Sequence, residues 1–173
     1  LELGLLKKEG RIKKLVATGC LSERYQGEIR GELPELDGVL GIGANEDPAR
    51  YIRELLESGP VESFPEKERL PLSGDRELTT PSWTAYLKIA EGCDNRCSYC
   101  AIPMIRGGYR SRAMEDIEQE ARALARNGAK ELVLIAQDTT RYGIDLYGEY
   151  TLAKLLKRLC KIEGIKWLRV LYC

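Results

Sequence analysis

Apolar and polar residues alternate along the first third of this chain in a strand–helix order. Short apolar runs at residues 15–17 and 39–42 predict strands, and residues 21–32 predict a helix. A second helix is predicted to extend to residue 57, because its apolar side chains would share one face. Asn45 is its predicted N-cap. Strands and helices in this order form parallel α/β sheets. We therefore predict an α/β unit over residues 1–58.

The same alternation returns over residues 84–173. The predicted elements are three strands and two helices: strands at residues 85–90, 132–136 and 167–172, and helices at residues 114–127 and 152–160. Gly128 follows the first of these helices, at the position where helices commonly end. Successive strand–helix steps are typical of a (β/α) barrel, whose functional loops follow the strand ends.

The stretch between the two blocks has a different composition. Residues 59–83 contain four prolines and many charged residues, with little periodicity. Proline lacks the backbone N–H that strands and helices use, and runs of this kind are common in connections. We predict a linker over residues 59–83.

Composition excludes several kinds of function. The 173 residues carry 27 basic and 27 acidic side chains and no histidine. Balanced charge gives no reason to expect direct nucleic-acid binding, and without histidine neither Cys/His zinc fingers nor histidine-based catalysis can be built from this chain. The longest apolar run, residues 132–136, is far shorter than the roughly 20 residues of a membrane span. No catalytic acid, base or nucleophile is predicted from the sequence.

Cysteine usage points to a reducing compartment. Six cysteines without a recognisable secretory signal predict metal or redox chemistry rather than disulfides, and a cytoplasmic location. The chain starts without methionine and stops inside an apolar segment, so we expect an internal fragment of a longer protein.

Three of the cysteines form a compact pattern. Cys93, Cys97 and Cys100 have the spacing C-x3-C-x2-C and directly follow the predicted strand at residues 85–90. Three thiolates can bind an iron–sulfur cluster and leave one iron open. A closed zinc site needs four ligands, and no fourth lies nearby in sequence. A zinc knuckle and unrelated core cysteines remain the alternatives. The loop that begins at Gln137 follows the next strand and should lie at the same edge.

Three segments together resemble a known family. They are TGCLSERY around Cys20, CDNRCSYCAIPMIRGGYRSR, and LIAQDTTRYGIDLYG at residues 134–148. The second resembles the signature of radical S-adenosylmethionine (SAM) enzymes, and the set resembles the methylthiotransferase family, in particular its RimO branch, which modifies an aspartate of a ribosomal protein. The resemblance implies the end of a flavodoxin-like amino-terminal domain followed by the first half of a radical-SAM partial barrel.

The resemblance also implies cofactors. The three cysteines of the C-x3-C-x2-C loop would hold a 4Fe–4S cluster whose open iron binds SAM. Tyr99 would lie by the adenine, and Gln137 and Asp138 would lie near the methionyl amino group. Cys20 matches one of three cysteines that hold a second 4Fe–4S cluster, its two partners lying upstream of residue 1. The alternative for Cys20 is a buried core cysteine.

The implied reaction is methylthiolation of an unactivated C–H bond. The substrate would be the β-carbon of an aspartate in a small-subunit ribosomal protein, and the electrons would come from a reductant such as flavodoxin or ferredoxin. No membrane partner is expected. Two other functions stay open: a tRNA adenosine methylthiotransferase of the same family, and a zinc-binding interaction module.

Several residues near these motifs have two interpretations. Arg106, Arg110 and Arg112 could pair with a carboxylate of SAM or substrate, or they could form a solvated, loop-ordering charge cluster. Cys160 is expected to pack in the core beside leucines of its helix, and Cys173 ends the third strand, where it could face the site.

Overall fold

The computed structural model describes residues 2–74, 77–79 and 81–173. The chain divides into two compact units. The first unit is Leu1–Leu70 with Tyr99–Gly107, and the second unit is Pro71–Ser98 with Gly108–Cys173. No helix among the residues described is both long and apolar enough to cross a membrane.

The first unit is built on a three-stranded parallel sheet. Its strands lie in the order β1 (Val16–Thr18), β2 (Gly38–Leu40) and β3 (Val61–Ser63). The two strands predicted before residue 58 are confirmed within a residue or two. Strand β3 lies in the stretch predicted to be a linker, and the pattern missed it because three residues are too few to show alternation.

Among the residues that the structure describes, five α-helices belong to the first unit. They are α1 (Glu2–Lys8), α2 (Cys20–Arg24), α3 (Ile29–Glu32), α4 (Pro48–Ser58) and α5 (Ile102–Arg106). The prediction of one helix over residues 21–32 is wrong, because the backbone leaves helical geometry at Tyr25 (φ −112°, ψ 37°) and a turn separates α2 from α3. The predicted cap Asn45 is also wrong. It lies in a 3₁₀ turn, Ile42–Glu46, and Asp47 caps α4 by accepting the Arg50 N–H at 3.0 Å.

The second unit is also built on parallel strands. The strands of the unit in chain order are β4 (Thr84–Lys88), β5 (Ala90–Glu91), β6 (Arg110–Ser111), β7 (Glu131–Ile135) and β8 (Trp167–Val170). The sheet order is β4-β7-β8, all parallel, and β5 pairs with β6 in an antiparallel ladder. The three predicted strands are therefore confirmed as neighbours, and the β5–β6 pair was not predicted.

Helices α6 (Met114–Arg126), α7 (Ile144–Tyr147) and α8 (Leu152–Leu159) complete this unit. Ile117 and Ala121 of α6 and Leu155 of α8 are fully buried against the sheet. The predicted helix over residues 114–127 is thus confirmed, and Gly128 follows it with a φ of +102°, a conformation that favours glycine. Cys160 corrects an expectation, since α8 ends at Leu159 and the Cys160 side chain is exposed rather than in the core.

Candidate functional site

Two loops of the second unit meet at the carboxyl ends of neighbouring strands. Strands β4 and β7 are parallel, with Lys88 opposite Ile135, so the residues that follow both strands emerge at one edge of the sheet. The Asn95 amide in the cysteine loop donates to the Asp138 carboxylate at 2.8 Å. The predicted proximity of the cysteine loop and the Gln137 loop is therefore confirmed.

Asp138 connects the two loops. One carboxylate oxygen accepts from Asn95, and the other accepts from the Thr140 hydroxyl at 2.6 Å and the Thr140 N–H at 3.1 Å. Burial alone raises the pKa of Asp138, but these hydrogen bonds outweigh it and hold that pKa below its usual value. Asp138 is thus a charged anchor whose two oxygens already accept hydrogen bonds from the protein.

Gln137 has a different arrangement. Its side-chain nitrogen donates to the buried carboxylate of Glu91 at 3.0 Å. Its side-chain oxygen is buried and has no hydrogen-bond partner among the described residues. A buried amide oxygen without a donor is costly in a folded protein, so such an atom fits a ligand that brings an N–H group. Of the two residues predicted to lie near the methionyl amino group, Gln137 is the one whose side-chain oxygen has no hydrogen-bond donor among the described residues.

Further contacts hold the start of the cysteine loop. Asp94 accepts from the Tyr109 N–H at 2.9 Å and lies 3.7 Å from the Arg141 guanidinium. The Tyr109 hydroxyl donates to the Asp138 carbonyl at 2.8 Å. Burial, together with the charges of Asp138 and Asp145, raises the pKa of Tyr109, so its hydroxyl keeps its proton and remains a donor. These contacts fix the residues beside Cys93.

The cysteines of the loop differ in exposure. Cys93 is buried, Cys100 is half-buried, and Cys97 is exposed, as is Tyr99, whose surface is 91% accessible. The three cysteines are free thiols, and soft sulfur donors suit iron–sulfur clusters. Within the described residues, no group of three or more Cys, His, Asp or Glu side chains is placed to hold a metal ion. The assignment of Cys93, Cys97 and Cys100 as ligands stays a prediction.

Cys20 lies in the first unit, at the first position of α2. Its side chain is exposed, so it is not the buried core cysteine of the alternative interpretation. The Arg106 guanidinium lies 3.0 Å from the Cys20 sulfur and donates to it. This contact joins residues 86 positions apart in sequence.

Two further residues, Arg112 and Cys173, have contacts that the sequence did not predict. Arg112 is buried, pairs with Glu120 at 2.7 Å and donates to the Lys88 carbonyl at 2.6 Å, so the solvated charge cluster is wrong for this arginine. Cys173 is exposed, and its sulfur lies 3.3 Å from the Thr139 hydroxyl oxygen.

Three features of these sites were not predicted from the sequence: the roles of Asn95 and Glu91, and the contact of Arg106 with Cys20. Asn95 stands inside the cysteine motif, and its position between two predicted ligands was the available signal. The partners of the three residues lie 43, 46 and 86 positions away, and no periodicity reports pairs at such separations.

Comparisons with known proteins give a consistent result. Residues 87–172 match the Radical SAM superfamily. The chain is 53% identical over 173 residues to the ribosomal protein uS12 methylthiotransferase RimO of Thermoanaerobacter sp. (strain X514), covering 99% of this chain and 39% of that protein. It is 51% identical over 172 residues to the protein of the same name from Clostridioides difficile (strain 630), covering 96% of this chain and 38% of that protein. The chain thus spans about two fifths of the length of these relatives, 39% and 38%.

Proposed function

We propose that this chain, a member of the radical SAM superfamily, works in an enzyme that attaches a methylthio group to the β-carbon of an aspartate in ribosomal protein uS12. The observation that carries this proposal is identity of about half over nearly the whole chain to proteins named uS12 methylthiotransferases, 53% in one of them. The match includes all three motif segments, because it covers 99% of the chain. It is the chain as a whole, and not one motif, that supports the proposal.

In this proposal the cysteine loop holds a 4Fe–4S cluster through Cys93, Cys97 and Cys100. When bound, the cluster and SAM supply a deoxyadenosyl radical that can remove a hydrogen atom from an unreactive carbon. The chain's own contribution is to hold the loop in place. Asp94 and Asn95, which lie between the first two cysteines, are tied to Tyr109 and Asp138. Positioning of this kind is what a protein adds to cofactor chemistry.

SAM binding is assigned to residues around the same edge. The Gln137 side-chain oxygen, which lacks a donor among the described residues, is the proposed acceptor for the methionyl amino group. Asp138 lies beside it, and its hydrogen bonds to Asn95 and Thr140 suit the role of fixing the loop on which Gln137 stands. Tyr99, with an exposed ring, is proposed to seat the adenine.

Cys20 is proposed as a ligand of a second 4Fe–4S cluster, the one through which sulfur reaches the product. Its exposure at the start of a helix leaves the sulfur accessible to a cluster, and thiolate is the donor that such a cluster needs. Cys20 provides one of the three ligands that this cluster requires. A flavodoxin or ferredoxin is the proposed electron donor.

The fold supports the same assignment at a coarser level. The order β4-β7-β8 places successive parallel strands side by side, with helices in the connections, as in the beginning of a (β/α) barrel. We propose that these strands are the first three of a radical-SAM partial barrel. The parallel sheet β1-β2-β3 is proposed to be the end of a flavodoxin-like domain.

The test is to offer the anaerobically reconstituted holoenzyme two substrates in parallel, ribosomal protein uS12 and a tRNA that carries the adenosine modified by the sister branch. We expect methylthio-aspartate, detected by mass spectrometry of uS12 peptides, and no modified tRNA. Product on tRNA alone would overturn the substrate assignment. Stoichiometric zinc without iron in the purified protein would overturn the enzyme assignment as well.

A further inference from the structure

Arg106 makes an unusual contact within the first unit. Its guanidinium nitrogen Nη2 lies 3.0 Å from the sulfur of Cys20 and donates a hydrogen bond to it. Cys20 begins α2, and Arg106 is the last residue of α5. Arg106, which has no role in the proposed function, therefore lies beside Cys20, a proposed ligand of the second cluster.

Other contacts hold helix α5, and with it Arg106, in place. Ile105, the neighbour of Arg106, is buried within the molecule. The Lys67 ammonium donates both to the Met104 carbonyl on α5 and to the Glu23 carboxylate on α2, at 3.0 Å for the latter. Glu23 is itself buried and accepts the Ile42 N–H at 2.9 Å. One lysine thus links the two helices whose ends carry Cys20 and Arg106.

We propose that Arg106 is a positioning residue for the sulfur site at Cys20. Its guanidinium donates to the Cys20 thiolate when that thiolate is an iron ligand, and it provides a fixed positive charge next to the cluster. A fixed cation and a hydrogen bond to a ligand sulfur stabilise the more negatively charged, reduced state of an iron–sulfur cluster and so raise its reduction potential. This proposal rests on the proposed function, since it assumes the second cluster.

Arginine suits this role better than lysine would. The planar guanidinium presents several N–H donors in a fixed fork and remains charged at every physiological pH. It can therefore donate to the Cys20 sulfur with one nitrogen and still present further N–H donors. A purely structural surface contact would give the same distance but would have no influence on the cluster, and this difference can be measured.

The experiment uses the reconstituted holoenzyme in a parent form with Cys93, Cys97 and Cys100 replaced by alanine, so that only the second cluster assembles. The midpoint potential of that cluster is measured by redox titration monitored by electron paramagnetic resonance. We expect R106Q to shift the potential to more negative values, on the order of a tenfold change in the reduced-to-oxidised ratio, or ~59 mV for a one-electron couple. R24Q, on the same helix as Cys20 but stacked on the Tyr25 ring, should leave the potential unchanged.

A second variant covers the case in which R106Q fails to assemble the cluster. R106K keeps the charge but loses the planar fork, and we expect a smaller negative shift with the iron content of the parent. An R106K or R106Q cluster with the parent's potential overturns the role of Arg106 and leaves the proposed function standing. A parent that binds no second cluster overturns the Cys20 assignment, and this proposal with it.

Discussion

Gln137 shows how one side chain can carry a specific expectation. Its nitrogen is engaged by Glu91, while its oxygen is buried without a donor among the described residues. A buried acceptor in this state destabilises the protein until a ligand supplies the missing N–H group. The same atom that costs stability in the unliganded protein is thus expected to contribute to SAM binding.

We predict that Q137L weakens SAM binding about tenfold, the effect of removing one hydrogen bond to a charged group. Equilibrium dialysis of the reconstituted protein measures the dissociation constant without turnover. The matched control is Q119L, because Gln119 is exposed on α6. If Q137L and Q119L bind SAM equally well, Gln137 is not the acceptor of the amino group.

Asp37 gives a pH-dependent prediction in the first unit. It accepts from Lys7 at 2.6 Å and from the Leu15 N–H at 2.8 Å, and although burial raises its pKa, these bonds hold the pKa below the ordinary 3.8. A folded-state pKa below the unfolded one means that the carboxylate stabilises the protein above about pH 4, and that this stability is lost as pH falls through the folded pKa.

We therefore expect D37N to lower the free energy of unfolding by about 2 kcal/mol at pH 7 and by less at pH 3, because pH 3 lies below the unfolded-state pKa, where the stabilisation is progressively lost. Urea unfolding at the two pH values measures the difference. E57Q serves as the control, because Glu57 is exposed. A destabilisation by D37N that is the same at both pH values would show that Asp37 is not charged in this pair.

The elements show which parts of the fold a sequence pattern can reveal. Helix α6 and the strands β4, β7 and β8 were predicted within a few residues, because each has an apolar face or run long enough to show its period. Helices α2 and α3 were predicted as one, because the turn between them contains no proline and only one glycine, Gly27. Strand β3 and helix α5 are too short for periodicity, and they depend on their neighbours in the fold.

The candidate site also has a part that the sequence pattern reveals and a part that it does not. Cys93, Cys97 and Cys100 could be named from the sequence, because ligand spacing is a local property. Gln137 and Asp138 could be named only because the resemblance to the radical SAM enzymes implies a role for residues at the end of that strand. The contacts of Asp138 with Asn95 and of Arg106 with Cys20 could not be predicted, because they join residues 43 and 86 positions apart. Chain topology decides such pairs, and a single sequence does not report them.

Helix α7 provides a prediction about the loop that follows β7. Gly143 and Gly148 flank this helix, and both have a positive φ, +95° and +72°. A Cβ atom at Gly143 would lie 1.9 Å from the Thr151 hydroxyl oxygen, whereas a Cβ atom at Gly148 would meet nothing within 4 Å. The two positions share the backbone cost of a left-handed residue but differ in packing.

We expect G148A to lower the free energy of unfolding by about 1 kcal/mol, the cost of placing alanine in a left-handed conformation, and G143A to lower it by roughly 3 kcal/mol or more, because the steric overlap is added. Chemical denaturation of the two variants measures both values. Equal destabilisation would contradict the packing described around Thr151.

At the scale of the whole molecule, the chain contains two units, each with its own parallel sheet. Cys20 and Cys100 belong to the first unit, and Cys93 and Cys97 belong to the second. In the first unit Cys20 is exposed and contacts Arg106. In the second unit the loop that begins at Cys93 is tied to the residues after β7. We therefore propose separate tasks for the two cysteine sites, SAM cleavage for the loop that begins at Cys93 and sulfur transfer for Cys20, and we predict that mutations can separate the two activities.

The most direct test of this account is SAM cleavage by C97A, with C20A as its matched control, in the anaerobically reconstituted holoenzyme. Chromatography measures methionine and 5′-deoxyadenosine, and mass spectrometry measures methylthiolated uS12. We predict that C97A forms neither cleavage product, while C20A cleaves SAM at a rate close to that of the wild type and gives no methylthiolated uS12. Cleavage by C97A at the wild-type rate would contradict the assignment of Cys93, Cys97 and Cys100 as the ligands of the SAM-binding cluster.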